Sequence, residues 1–177
     1  MGQDVKLFLE AVARGNVYVT ANQTTVTTQA GLSVTTPALT IANRLDSDKT
    51  VKLWYVSACG LVAASAAAEV WSALGGYSAT AVTETTLATV RNMKTGSSGQ
   101  PAGVGVLAVA TLPTTPVAVS QLGAQLTGAI TTVPTVAPFE RWYNGALQVR
   151  PGYNFSVQTS TATTLFCEYI FEVADLD

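Results

Sequence analysis

The sequence predicts an all-β fold, an antiparallel sandwich carried behind a short helical arm. Three features of the chain predict it. From Asn16 onward apolar residues recur at period two, in segments rich in Val, Thr and aromatic residues. Pro, Gly, Asn, Asp and Ser clusters punctuate these segments at short intervals. A clear helical spacing occurs at the start, where Val5, Phe8, Leu9 and Val12 fall on one face.

The arm is residues 1–15. Asp4 is placed to cap its helix and Gly15 to stop it. Its charges, Asp4, Lys6, Glu10 and Arg14, leave an apolar face that must dock on its own domain or on a neighbour. Residues 16–177 form a single sandwich domain. VYVTA puts Val17 and Val19 on one face and Tyr18 and Thr20 on the other, and Asn22-Gln23 turns the chain into TTVTT. In LSVTTPALTIAN, Pro37 suggests an edge or a bulge. LDSDKT reads as a turn. VKLWYVSACGLV is a long strand, with Val51, Leu53 and Tyr55 on one side and Lys52, Trp54 and Val56 on the other.

AEVWSAL is strand or helix by periodicity, and Thr80 to Arg91 alternates weakly. KTGSSGQPAG is an exposed loop and VGVLAVATL a strand. Pro113, Pro116 and Pro134 break the next stretch, up to Pro138, into short extended pieces and loops. The end reads as strand, Pro-Gly turn, strand, polar turn, strand. Tyr153, Phe155 and Val157 share one face; Leu165, Cys167, Tyr169, Phe171 and Val173 share another, with Glu168 and Glu172 pointing away. The total is eight or so strands.

Composition narrows the chemistry. Of 177 residues 11% are charged, well below the usual quarter or so. The net charge of −2 supplies no basic field for phosphates, so no nucleic-acid partner is expected. The chain has no histidine, which removes Ser-His-Asp, Cys-His and histidine-zinc chemistry. The first residues show no signal-peptide pattern. The uncharged run Leu53–Ala68 ends at Glu69 and reads as strand, so no membrane partner is expected. Asn22 and Asn154 begin glycosylation triplets that read as chance matches. Cys59 and Cys167 read as buried thiols, a bridge between them remaining open.

No catalytic, cofactor or metal site is expected. Glu140, Glu168 and Glu172 cluster towards the C-terminus, but as solvent-facing strand residues they read as solubilising charges. Asp46 and Asp48 lack the Gly and distal Glu of a calcium loop. Trp54, Trp71, Trp142 and Tyr143 could stack on sugar rings; the plainer reading is core or interface anchors. From Thr95 to Phe139 the chain carries no charge over 45 positions, which points to a surface covered by another subunit.

Two stretches carry a resemblance. ALTIANRLDSDKTVKLWYVSA is similar to a pattern of tailed-bacteriophage virion proteins, in which an alternating strand leads to an Asn, a short polar turn and a Lys-bearing long strand. LQVRPGYNFSVQTSTATTLFCEYIFEV resembles their closing pattern. The stretch AEVWSALGGYSATAVTE and the charge-free middle of the chain depart from it. The resemblance implies a jelly-roll structural protein of the virion, of the head decoration (cement) type. It also implies a homo-oligomer, a trimer by preference, bound to the major capsid protein on the capsid surface after synthesis in the host cytoplasm. Val5, Phe8, Leu9 and Val12 of the arm would then contact the partner. The alternative is a receptor- or carbohydrate-binding sandwich of a phage tail or neck.

Overall fold

A computed structural model describes residues 3–23, 26–60, 68–125 and 138–176. One helix, α1 (Gln3–Arg14), precedes twelve strands among them. These are β1 (Val17–Ala21), β2 (Val26–Thr27), β3 (Thr40–Asn43), β4 (Lys49–Gly60), β5 (Ala68–Gly75) and β6 (Thr83–Leu87). There follow β7 (Val90–Asn92), β8 (Val104–Thr111), β9 (Val117–Gln125), β10 (Phe139–Val149), β11 (Asn154–Thr159) and β12 (Thr164–Asp175). The expectation of eight or so strands was too low.

The strands make two antiparallel sheets. The front sheet has the order β10-β4-β12-β1-β7, with β2 also on β12; the back sheet has the order β6-β8-β3-β11-β5-β9. Four nested pairs organise them: β1 with β12, β3 with β11, β4 with β10, and β5 with β9. Successive nested pairs alternate between the sheets, which is the connectivity of a jelly roll. The segment between β5 and β9 adds β7 to the front sheet and β8 and β6 to the back.

The core lies between the sheets. β12 sends Leu165, Cys167, Tyr169, Phe171 and Val173 inward, as alternation predicts. Phe155 and Val157 meet them from β11, while Tyr153 precedes that strand and is partly exposed. Phe155 packs edge-on against Tyr169 with ring centroids 5.3 Å apart, and the Tyr169 hydroxyl donates across the sandwich to the Leu39 carbonyl. At one margin the Tyr143 and Ser120 hydroxyls bond across the layers. Beside them Phe139 lies so close to Gly123 that a side chain there would collide with its ring.

Several turns form for the reasons the sequence supplies. Gly15 takes φ 82° and its amide donates to Val12, ending α1. Asp4 sits inside the first turn of α1, where a carboxylate complements the helix dipole, and not at the cap. Arg150-Pro151-Gly152-Tyr153 closes with Tyr153 N–H on Arg150 C=O at 3.0 Å and Gly152 at φ 80°, a type II arrangement. The turn after Asn43 is held by Ser47 N–H on Arg44 C=O.

Elsewhere tertiary pairing overrides the local reading. AEVWSAL is strand β5, held between β11 and β9. Within TTVTT, Val26–Thr27 does not fold back on VYVTA: β2 pairs with the start of β12, so β1 and β2 both lie against one long strand. Pro37 is buried ahead of β3, which is an interior strand and neither edge nor bulge. The stretch after Pro116 is one nine-residue strand, β9, where short pieces were expected; Pro134 falls outside the described residues. In KTGSSGQPAG, Lys94–Gly99 are exposed, but Gln100 turns inward and bonds both the Val106 amide and the Ala88 carbonyl.

The largest correction is in β4. Tyr55 pairs with Ile170 but Leu53 pairs with Phe171, so Trp54 is an extra residue opposite β12. Such a bulge flips the phase of alternation. Val51, Leu53, Val56 and Ala58 therefore all enter the core. Tyr55 joins Lys52 and Trp54 on the outer side, contrary to unbroken alternation.

Candidate functional site

The outer face of the front sheet carries the helix and most of the residues singled out in the sequence. α1 leads directly into β1 and is tied down at its C-terminal half: Ala11 is fully buried, and Arg14 approaches the Glu172 carboxylate at 3.6 Å. Phe8 meets Trp54 in an edge-on contact at 5.1 Å. Of the four arm residues, Phe8 and Val12 are half-buried, whereas Val5 and Leu9 are about half exposed, at 49% and 48%. Leu7 is exposed to the same degree. The helix thus spends only part of a wide apolar stripe on its own sheet.

β10 forms the far side of this face. Trp142 pairs with Tyr55 and Leu147 with Leu53, so Tyr143, Asn144, Gly145 and Ala146 together oppose Trp54 alone. Asn144 and Gly145 adopt φ 51° and 78°, the left-handed region that Asn and Gly tolerate best. The protruding turn rises over the Trp54 indole. An Asn-Gly dipeptide inside the strand pattern RWYNGALQV was the available signal for it.

Between α1 and β10 lies a groove of about 420 Å³ lined by Asp4, Val5, Phe8, Trp54, Trp142 and Asn144. A second hollow of about 250 Å³ shares Trp54 and Asn144 and continues towards Arg14, Lys52, Gln148 and Glu172. Trp142 is 56% exposed and rests on Tyr55, with centroids 4.7 Å apart. Glu172 is almost wholly buried, where its carboxylate accepts from the Trp54 indole N–H at 3.4 Å and faces Arg14. A buried carboxylate needs such partners to offset its lost hydration.

The aromatic set is therefore split. Trp54 and Trp142 share the groove. Tyr143 turns inward to Ser120, and Trp71 lies on the back sheet with its indole N–H on Glu69 at 3.1 Å. The carboxylates are split as well. Glu168 and Glu172 are four residues apart along β12, about 13 Å at strand spacing, too far for a pair acting on one bond. Glu140 accepts from the Tyr55 hydroxyl at 2.9 Å. Partial burial, then that bond, raises the Tyr55 hydroxyl above its ordinary value. Asp48 and Asp175 share Lys49, at 3.2 Å and 2.6 Å, and hydrogen bonds from Arg44 hold the Glu84 carboxyl below its ordinary range. No group of three or more His, Cys, Asp or Glu converges among the described residues.

Asn22 and Asn154 are both buried, which closes the two glycosylation triplets to modification in the folded chain. The two cysteines lie on adjacent strands but on opposite faces: Cys167 is in the core, while Cys59 pairs with outward Phe166. They form no disulfide with each other. Burial pushes the Cys167 thiol up to about 12. In the native protein at pH 8, iodoacetamide is therefore expected to spare Cys167 and to modify it promptly in denaturant, as peptide mass mapping would show. Rapid native labelling of Cys167 would contradict the packing described.

No helix among the described residues is long and apolar enough to cross a membrane. Compared with protein-family models, with curated proteins and with solved structures, the chain has no match.

Proposed function

We propose that this chain is a non-enzymatic structural protein of a bacteriophage virion. It would be a head-decoration component that forms a homo-oligomer, a trimer by preference, and binds the major capsid protein on the capsid surface. The observation that carries the reading is the half-used arm: α1 is seated on the sandwich by Ala11 and Phe8, yet leaves Val5, Leu7 and Leu9 exposed. Exposed apolar residues on one continuous element supply buried area for association. The charge-poor edge strand β9, with Val117 65% and Val119 42% exposed, adds a second uncharged surface. The jelly-roll topology and the resemblance of the β3–β4 and β10–β12 stretches to virion proteins support the same reading.

Association through such surfaces is driven by apolar burial, and salt should affect it little. Sedimentation of the purified chain in low and high salt is expected to show one oligomer, three copies by preference, at both. Val5→Asp with Leu9→Asp is expected to shift it to monomers without changing the thermal unfolding of the sandwich. A monomer at every concentration, or an oligomer dispersed by moderate salt, would overturn the reading.

A further inference from the structure

We propose that the groove between α1 and β10 is a binding site for a neutral saccharide, an inference that does not rest on the structural role proposed above. Its shape and lining argue for that ligand class. A pyranose has an apolar C–H face and a rim of hydroxyls, so it needs a flat aromatic surface with hydrogen-bonding groups at its edge. Trp142 provides the surface, 56% exposed and braced from beneath by Tyr55 at 4.7 Å. Trp54 and Phe8 form the inner wall, already locked edge to face at 5.1 Å. Asp4 and Asn144 stand at the rim of the same groove, and Gln148 and Lys52 along its continuation.

The charges select for neutrality. Asp4 and Glu172 are balanced by Arg14 and Lys52, and Arg14 is engaged with Glu172 at 3.6 Å. Summed over both hollows the side chains carry no net charge, so a phosphate finds no surplus of positive charge there. The two connected hollows, about 420 and 250 Å³, fall near the size of small-ligand pockets, roughly 300–1,000 Å³. The β10 protrusion gives the site its polar corner. Four residues oppose one, and Asn144 is held in a left-handed conformation that an edge strand does not otherwise require. Bulges of this kind re-aim side chains beside binding sites.

The test uses the full chain with defined neutral probes: maltohexaose, cellohexaose, chitotetraose and a printed array of neutral glycans. Binding is read by tryptophan fluorescence and by saturation-transfer NMR. At least one neutral oligosaccharide is expected to bind saturably. Trp142→Ala is expected to weaken it by about tenfold or more, since a truncated aromatic anchor removes a main share of binding energy. Asn144→Gly keeps the left-handed backbone and removes the side chain with its carboxamide, so a loss of a few-fold is expected with unchanged thermal unfolding. The proposal is overturned if no neutral glycan binds saturably, or if both variants bind as the parent does. It is also overturned if the fluorescence change follows protein concentration and not sugar, which would make the groove a contact between copies.

Discussion

Phe155→Ala is expected to lower the unfolding free energy by about 3–5 kcal/mol, the largest single loss foreseen for this chain. Phe155 is fully buried and belongs to β11 of the back sheet, while the ring it meets, Tyr169, belongs to β12 of the front sheet. Truncation therefore opens a cavity at the junction of the two layers. The same change removes the wall that orients Tyr169, whose hydroxyl donates to the Leu39 carbonyl. Tyr169→Phe isolates that second component. It leaves one buried carbonyl without its donor and is expected to cost about 1–3 kcal/mol. Denaturant titrations of the two variants check both values. A loss below about 1 kcal/mol for Phe155→Ala would show that the layers are not packed as described.

Asn43→Ala is expected to cost about 2–4 kcal/mol, an unusual figure for a polar residue at the end of a strand. The Asn43 carboxamide nitrogen donates to the Lys49 carbonyl at 2.8 Å and to the Val149 carbonyl at 2.9 Å. Its backbone exchanges two further bonds with the Pro-Gly turn, through Gly152 at 2.9 Å and Tyr153 at 3.1 Å. One buried side chain thus ties β3 of the back sheet to β4 and β10 of the front sheet. Alanine removes both of these side-chain bonds from the two carbonyls. Asn43→Asp keeps the shape but replaces the donor with acceptors facing those carbonyls, so it is expected to be at least as damaging at neutral pH. If Asn43→Asp proved as stable as the parent, the bridging role would be refuted.

Both residues illustrate what local sequence can convey. Phe155 was legible as an inward strand residue, because period-two alternation holds across β11 and β12. Asn43 was legible as a feature of the strand–turn–strand pattern, though its two cross-sheet bonds were not. The Pro-Gly turn and the stop at Gly15 were legible because their conformations depend on one or two residues. The helix-or-strand ambiguity of AEVWSAL was settled by the flanking strands β11 and β9, which no local pattern contains. The same holds for β2, drawn to β12 in place of β1.

The candidate site divides in the same way. The arm's apolar residues were visible from their spacing, and so was the chance that exposed tryptophans mark a binding face. Which of them meet was not. Trp54 and Trp142 converge, whereas Trp71 lies on the other sheet and Tyr143 turns into the interior.

By itself the sequence determined an all-β chain with a helical arm, the positions of its tight turns, and a chemistry without histidine. These follow from side-chain type and from interactions a few residues apart. The tertiary structure alone decided the jelly-roll pairing, the two bulges opposite and within β4, and the groove they shape beside α1. The physical reason is register. A strand's faces alternate with period two, so one extra residue at Trp54 exchanges inside for outside. That exchange is set by the hydrogen bonds of the neighbouring strand and leaves no periodic trace along the chain.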